Sequence, residues 1–170
     1  MSPFRVFSSL RYALVLTLAL LGACDQYADR NLVVGQHSEA DVRQLMGVPT
    51  MIWDLPGGAR QFDYIRAPSG FETWRVDIAP DGRYQGMKQL LTDENFKRLA
   101  QVGMTGEELT RLFSRPAETQ RYALSNEVIW LWRYEGLGGI KYNFNAHFDA
   151  TTMRVKRYSV TDDRLQTPGA

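Results

Sequence analysis

"VGQHSEADVRQLMGVPTMIW", Val34 to Trp53, comes back in altered form as "VGMTGEELTRLFSRPAETQRY", Val102 to Tyr122. Each stretch opens on Val-Gly, passes through a hydroxyl residue that can cap a helix, continues with a short amphipathic run and meets a proline. Ser38 is followed three positions on by Asp41, and Thr105 by Glu108. That spacing lets the hydroxyl bond the third helical N–H while the carboxylate reaches back to the cap. Val42, Leu45 and Met46 in the first stretch, and Leu109, Leu112 and Phe113 in the second, fall at i, i+3, i+4 and so share one apolar face. Pro49 and Pro116 close the two helices, since a proline ring disfavours helical geometry in the residue before it. A pattern recurring at this interval is the mark of a duplicated unit.

Working outward, each stretch runs into strands. Alternation predicts strands over 50–55, 60–66, 72–79 and 83–89 in the first half, with Pro56-Gly57-Gly58 and Asp81-Gly82 as turn signals. In the second half it predicts strands over 118–124, 128–135, 141–149 and 154–160. "FDY" (Phe62 to Tyr64) and "WRY" (Trp132 to Tyr134) take matching places in the two halves. Between the halves, "LLTDENFKRLAQ" (Leu90 to Gln101) reads as a helix capped by Thr92, with Phe96, Leu99 and Ala100 on its apolar face. It pairs with the Thr105 helix across Gly103, and Gln26 to Leu32 is the weaker counterpart in the first half. A unit of about 70 residues is marginal alone, so two units are expected to fuse or stack. The expected fold class is α+β: a tandem repeat of a short helix pair packed on antiparallel sheet, with repeats at 34–91 and 92–161 and a frayed tail at 162–170.

The N-terminal end has a different character. Arg5 and Arg11 precede the uncharged run Tyr12 to Ala23, which ends on the chain's single cysteine, Cys24. The run is too short to span a bilayer, which takes about 20 apolar residues, and its order of basic, apolar and small residues is that of an export signal. Cys24 has four readings: half of a disulfide, a metal ligand, a nucleophile, or an attachment point. No second cysteine exists to pair with it in the chain. Leu21-Gly22-Ala23-Cys24 resembles the lipobox of bacterial lipoprotein signal peptides. The resemblance implies that residues 1–23 are removed, that Cys24 is acylated on sulfur and nitrogen, and that 24–33 is a tether. Two or more acyl chains are what stable anchoring requires.

A second resemblance rests on "LLTDENFKRLAQVGMTGEELTRLFSRP" followed by "VIWLWRY". These stretches resemble the SmpA/OmlA (BamE-like) lipoprotein family, through the threonine-capped first helix, the Val102-Gly103-Met104-Thr105 turn, the helix closed by Pro116 and the aromatic strand. The glycine usual two residues before the proline is Gly47 in the first half and Ser114 in the second. The family shape implies two helices on a three-stranded antiparallel sheet, and a tandem of such units is similar in layout to the β-lactamase inhibitory protein. The resemblance also implies action by contact without catalysis, with envelope proteins, the β-barrel assembly machinery among them, as partners. It implies the periplasmic face of the outer membrane, whereas Asp25 directly after the cysteine resembles an inner-membrane retention signal.

Composition narrows the remaining functions. The chain has 20 basic and 19 acidic residues; losing residues 1–23 removes Arg5 and Arg11 and no acid, leaving 18 against 19. A near-neutral chain without charge runs offers no electrostatic footprint for nucleic acid. Its two histidines, His37 and His147, stand apart from each other and from Cys24, without metal-ligand spacing. No nucleophile-elbow, Walker or dinucleotide pattern occurs, so neither enzyme activity nor a cofactor or metal is expected. The polar sides of the strands carry the expected partner-binding residues, Arg75, Asp77, Asn143, Asn145 and His147, on a concave surface. Val128 to Tyr134 is apolar on both sides, which requires that Ile129 and Leu131 be covered by the other repeat or by a partner protein. The reading is a lipid-anchored protein of outer-membrane assembly or envelope integrity. An inhibitor-like or ligand-binding module of the same tandem fold is the alternative.

Overall fold

The structure is a computed structural model that describes residues 32–166. Three α-helices and eight strands make up the described fold: α1 (Glu39–Met46), β1 (Met51–Asp54), β2 (Arg60–Ile65), β3 (Thr73–Ile78), β4 (Tyr84–Gln89), α2 (Asp93–Leu99), α3 (Gly106–Phe113), β5 (Glu118–Tyr122), β6 (Glu127–Glu135), β7 (Lys141–Asp149) and β8 (Val155–Asp162). The strands form two antiparallel meanders, ordered β1-β2-β3-β4 and β5-β6-β7-β8.

This corrects the expected fold class. Among the described residues the chain is mostly β, and it is not a repeat of a helix pair on a sheet. The physical reason lies in element length. The helices have two turns each and bury one or two residues apiece, whereas β6 and β7 run nine residues and supply aromatic rings throughout. Each sheet also has a fourth strand where the family shape implied three, because the runs after Gly82 and Thr152 keep strand alternation and find a free edge. Residues 26–31, the expected partner helix of the first half, lie outside the described residues, and Val33 to His37 form turns in which the Val33 carbonyl accepts from Gln36 and His37.

The two meanders are built alike to the level of single hydrogen bonds. Ser38 bridges Arg83 and Thr105 bridges Arg154. Gly35 N donates to Tyr84 O, and Gly103 N to Val155 O, both at 2.8 Å. Both capping boxes form, Ser38 with Asp41 and Thr105 with Glu108. Each sheet carries one register shift between its third and fourth strands, at Asp77/Ile78 and at His147/Phe148. These landmarks equate Asp77 with His147, Arg75 with Asn145, and Asp63 with Leu131. "FDY" therefore matches Trp130-Leu131-Trp132, two residues before the "WRY" to which the sequence pattern assigned it. A slip of two keeps every side chain on its own face, so alternation alone cannot detect it.

Gly47 and Ser114 hold the same place after α1 and α3, with φ of 83° and 64° and ψ near extended values. A left-handed φ with such a ψ is glycine territory, and a serine there stores about 1–3 kcal/mol. The surroundings hold it: Ser114 is buried, its carbonyl accepts from Trp132 Nε1 at 3.1 Å, and its hydroxyl lies 3.3 Å from Met51 Sδ in the first sheet.

Each sheet has one face on its own helices. Val42 of α1 packs with Phe62, Tyr64, Val76 and Ile78. Phe96 of α2 and Leu109 and Phe113 of α3 pack with Trp132, Tyr134, Phe144 and Phe148. Rings in the second core lie at contact separations, Phe96 stacking on Phe144 with centroids 4.0 Å apart and meeting Tyr134 edge-on at 4.9 Å. Gly106 opens α3 directly against Trp130, and a Cβ there would lie 2.5 Å from Trp130 Cη2. Gly106→Ala is thus expected to destabilise by about 1–3 kcal/mol through overpacking, reversing the gain of up to ~1 kcal/mol that alanine brings to an open helix. Urea unfolding of the two proteins measures the sign.

Candidate interface on the two sheet faces

The opposite face of the first sheet is polar and closed. Asp63 of β2 and Arg75 of β3 are register partners, and they meet in a two-pronged ion pair with Nε–Oδ1 at 2.6 Å and Nη2–Oδ2 at 2.8 Å. Asp63 is fully buried and Arg75 is 5% exposed. Trp53 Nε1 adds a third hydrogen bond to the Asp63 carboxylate at 2.8 Å. Arg75 Nη1 then donates to the carbonyl of Arg111 in α3 at 2.7 Å, and Arg111 Nη2 donates to Gln61 Oε1 at 2.8 Å. The Arg111 guanidinium sits 4.8 Å from the Trp53 ring centroid, a cation–π distance. Burial, and next the like charge of Arg75, lower the Arg111 pKa. Arg75 is thus a bolt between the two halves, inside the molecule, where the sequence pattern had placed it on a partner-binding surface. Asp77 is half-buried beside it, accepting from Gln61 Nε2 at 2.6 Å.

Asn143, Asn145 and His147 share the corresponding face of the second sheet, along β7. All three are buried. Asn145 Nδ2 donates to Thr161 Oγ1 at 3.2 Å on β8. His147 Nε2 is 2.8 Å from Ser159 Oγ and 3.1 Å from Arg157 Nη1. A guanidinium only donates, so Nε2 accepts and the proton of the neutral ring is on Nδ1, 3.6 Å from Glu127 Oε2. Beside Asn143 a cavity of about 270 Å³ is lined by Pro68, Ala117, Glu118, Leu131, Arg133 and Asp163. Arg133 grips Asp163 at 3.1 and 2.8 Å and donates to the Pro68 carbonyl. The five residues expected on one concave surface therefore fall on two separate faces, with α3 between them.

No protein-family model and no curated protein matches the chain. Among solved structures, a DUF4309 family protein (YjgB) from Bacillus subtilis aligns over 79% of this chain and 84% of its own, at 16% identity and a TM-score of 0.30. A score that low carries no inference about fold or function.

Cys24 lies outside the described residues. Among the described residues no helix is long and apolar enough to cross a membrane, and no group of three His, Cys, Asp or Glu side chains could hold a metal ion. Sequence reasoning missed Asp63, Trp53 and Arg111. Asp63 carried a signal: it is an acid inside an apolar run, between Phe62 and Tyr64, on the strand neighbouring Arg75.

His147 gives the second sheet a pH dependence. Burial, then the nearby Arg157, lower its pKa below 6.5, with Glu127 pulling the other way and Lys156 adding a small push down. The unfolded chain consequently binds this proton more readily than the folded one. His147 contributes stability fully above about pH 6.5, and the contribution is lost as pH falls through the lower folded value. The midpoint of thermal unfolding is expected to drop over that window, and His147→Gln to flatten the drop.

Proposed function

We propose that this chain is a lipid-anchored protein of the periplasmic face of the outer membrane that works by protein contact in outer-membrane assembly or envelope integrity. The observation that carries the contact reading is how the fold uses its shielded charges. Asp63 is spent on Arg75, Arg133 on Asp163, and Glu127 on Arg157 and His147. Each pair ties one strand or turn to another, so these groups are committed to structure and not to a reacting molecule. The surface also carries apolar side chains: Leu45, Val48 and Ile52, within eight residues of one another in the chain, are 42%, 86% and 48% exposed. Clustered exposed apolar groups support a contact surface. The anchor rests on the run Tyr12 to Ala23 closing on Cys24, and the SmpA/OmlA resemblance supplies the envelope setting.

The full chain expressed in a Gram-negative host tests both parts. Labelled palmitate is expected to enter the wild type and to be absent from Cys24→Ala. Label persisting in the variant overturns the anchor. Crosslinking in cells followed by mass spectrometry is expected to join the wild type to envelope proteins. Recovery of no envelope protein overturns the contact role.

A further inference from the structure

We infer that one end of the fold rests on the surface of a lipid bilayer, the end at which the described chain begins at Leu32 and at which the second sheet has its turns 123–126 and 150–154. The inference rests on the lipid anchor proposed at Cys24 and adds to it the orientation of the fold.

Each meander has two ends. In the first sheet the β1–β2 and β3–β4 turns are at one end, and Met51 and the 66–72 loop are at the other. The second sheet is laid out alike, with the β5–β6 and β7–β8 turns at one end and Glu118 and the 136–140 turn at the other. Contacts between the halves show which ends go together. Ser114, at the close of α3, meets Met51. Arg133 and Lys141 both lie over the Phe71 ring of the 66–72 loop, 4.3 and 4.7 Å from its centroid. About one turn back along α3, Arg111 meets Trp53 and Gln61, which lie nearer the β1–β2 turn. The two sheets therefore run in the same sense, and their paired turns end on the same side of the molecule.

Exposed apolar side chains gather on that side. Val33 and Val34 sit in the turn that Gly35 pins to Tyr84 at the start of β4, and Val102 sits beside Gly103, pinned in the same way to Val155 at the start of β8. Tyr122 and Leu124 lead through the β5–β6 turn, and Met153 is in the β7–β8 turn. These two turns are joined, Ala150 N donating to Asn126 O at 3.0 Å. Leu124 is fully exposed and Val102 is 67% exposed, so neither ring nor branch of the protein's own core covers them. Apolar groups collected on one side of a fold mark a protein or membrane contact, and a tyrosine ring suits the headgroup level. Exposed Arg83, Arg121 and Arg154 stand among them with exposed Asp81 and Glu107, so the contact is apolar and not a basic patch drawn to anionic lipid.

The tether selects the bilayer as the occupant. Eight residues lead from Cys24 to Leu32, a reach of about 29 Å at full extension. An acylated Cys24 is held in the membrane, and it draws in the end of the fold that bears Val33 and Val34. The tether also makes the contact intramolecular, at an effective concentration on the order of millimolar, so a few apolar side chains suffice. With that end on the lipid, β6 and β7, nine residues each, carry the opposite end about 30 Å away. Leu45 and Val48 belong to that opposite end, because α1 runs toward it from Ser38, which bridges Arg83. They stay clear of the bilayer and open to an envelope protein.

The decisive experiment reconstitutes the full-length protein, made in a Gram-negative host, into vesicles of phosphatidylethanolamine and phosphatidylglycerol. Acylation leaves Cys24 without a free thiol, so Leu124→Cys, or Val48→Cys at the opposite end, takes an environment-sensitive dye at one place only. The dye at position 124 is expected to shift its emission to the blue and to lose most of its intensity when the lipids carry a nitroxide high on the acyl chain. The dye at position 48 is expected to keep the emission it has in water and to be little quenched. Met153→Cys supplies a second reporter if labelling at position 124 disturbs the fold by near-ultraviolet dichroism. Protein that floats with the vesicles yet shows no quenching at position 124 overturns the inference and leaves the anchor standing. So does a blue-shifted dye there that the nitroxide does not reach, since that marks a protein or a second copy over this end. Equal quenching at both positions overturns it as well, because the fold would then lie on its side. A wild type that takes up the thiol dye and fails to float overturns the anchor, and this inference with it.

Discussion

Asp63→Ala is expected to lower the unfolding free energy by about 3–5 kcal/mol, the cost of breaking a buried ion pair from one side. Most domains hold about 5–15 kcal/mol in total, so this is a loss of a third or more. The carboxylate has no solvent exposure, and it accepts from Arg75 twice and from Trp53 once. Its removal leaves a guanidinium shielded from water with only the Arg111 carbonyl to serve it. The second sheet shows how the same position is built without charge, with Leu131 and Asn145 where the first has Asp63 and Arg75. The double variant Asp63→Leu/Arg75→Asn is accordingly expected to lose less than Asp63→Ala, because an uncharged, filled site carries no unpaired ion. Urea midpoints at unchanged slope give both numbers. A double variant as unstable as the single would show that the cost comes from shape and not from charge.

The same pair marks the limit of what the sequence could disclose. Helix starts were legible because a capping box is local: Ser38 and Asp41, or Thr105 and Glu108, need only each other. The strands were legible because alternation is local too, and each of the eight falls inside the stretch where the pattern placed it, or within two residues of it. What alternation cannot supply is what lies above a face. Arg75, Asn143 and His147 were correctly placed away from their own helices, but whether such a face is wet or covered depends on how one half stacks on the other. That is decided by Arg111, fifty residues from Gln61 and on a different element. The pairing of "FDY" with "WRY" failed for a related reason, a shift by the strand period being invisible to the pattern. The helix pair was read from the Thr92 and Thr105 caps on either side of Gly103, and α2 and α3 both form there, but two-turn helices beside long aromatic strands make a mostly β chain and not a helix-pair repeat.

The second large effect is expected at Trp132. Its indole is buried, 6.1 Å from Phe113, 6.2 Å from Phe144 and 6.1 Å from Trp130 by ring centroid, and its Nε1 donates to the Ser114 carbonyl. Trp132→Ala removes a core ring and leaves a cavity, a change that costs about 3–5 kcal/mol. It also orphans a buried carbonyl, worth about 1–3 kcal/mol by itself. Trp132→Phe separates the two parts, since the smaller ring fills much of the space and cannot donate. Ser114 gives this residue reach beyond its own sheet. The backbone there is held at a φ that serine resists, its carbonyl fixed by Trp132 and its hydroxyl against Met51 across the joint. With the indole gone, the end of α3 is free to relax, and with it the Arg111 carbonyl to which Arg75 donates. Amide exchange in Trp132→Phe is therefore expected to quicken at Arg75 and Asp63 of the first sheet as well as around Ser114. Faster exchange confined to the second sheet would show that the two halves are stacked without being coupled.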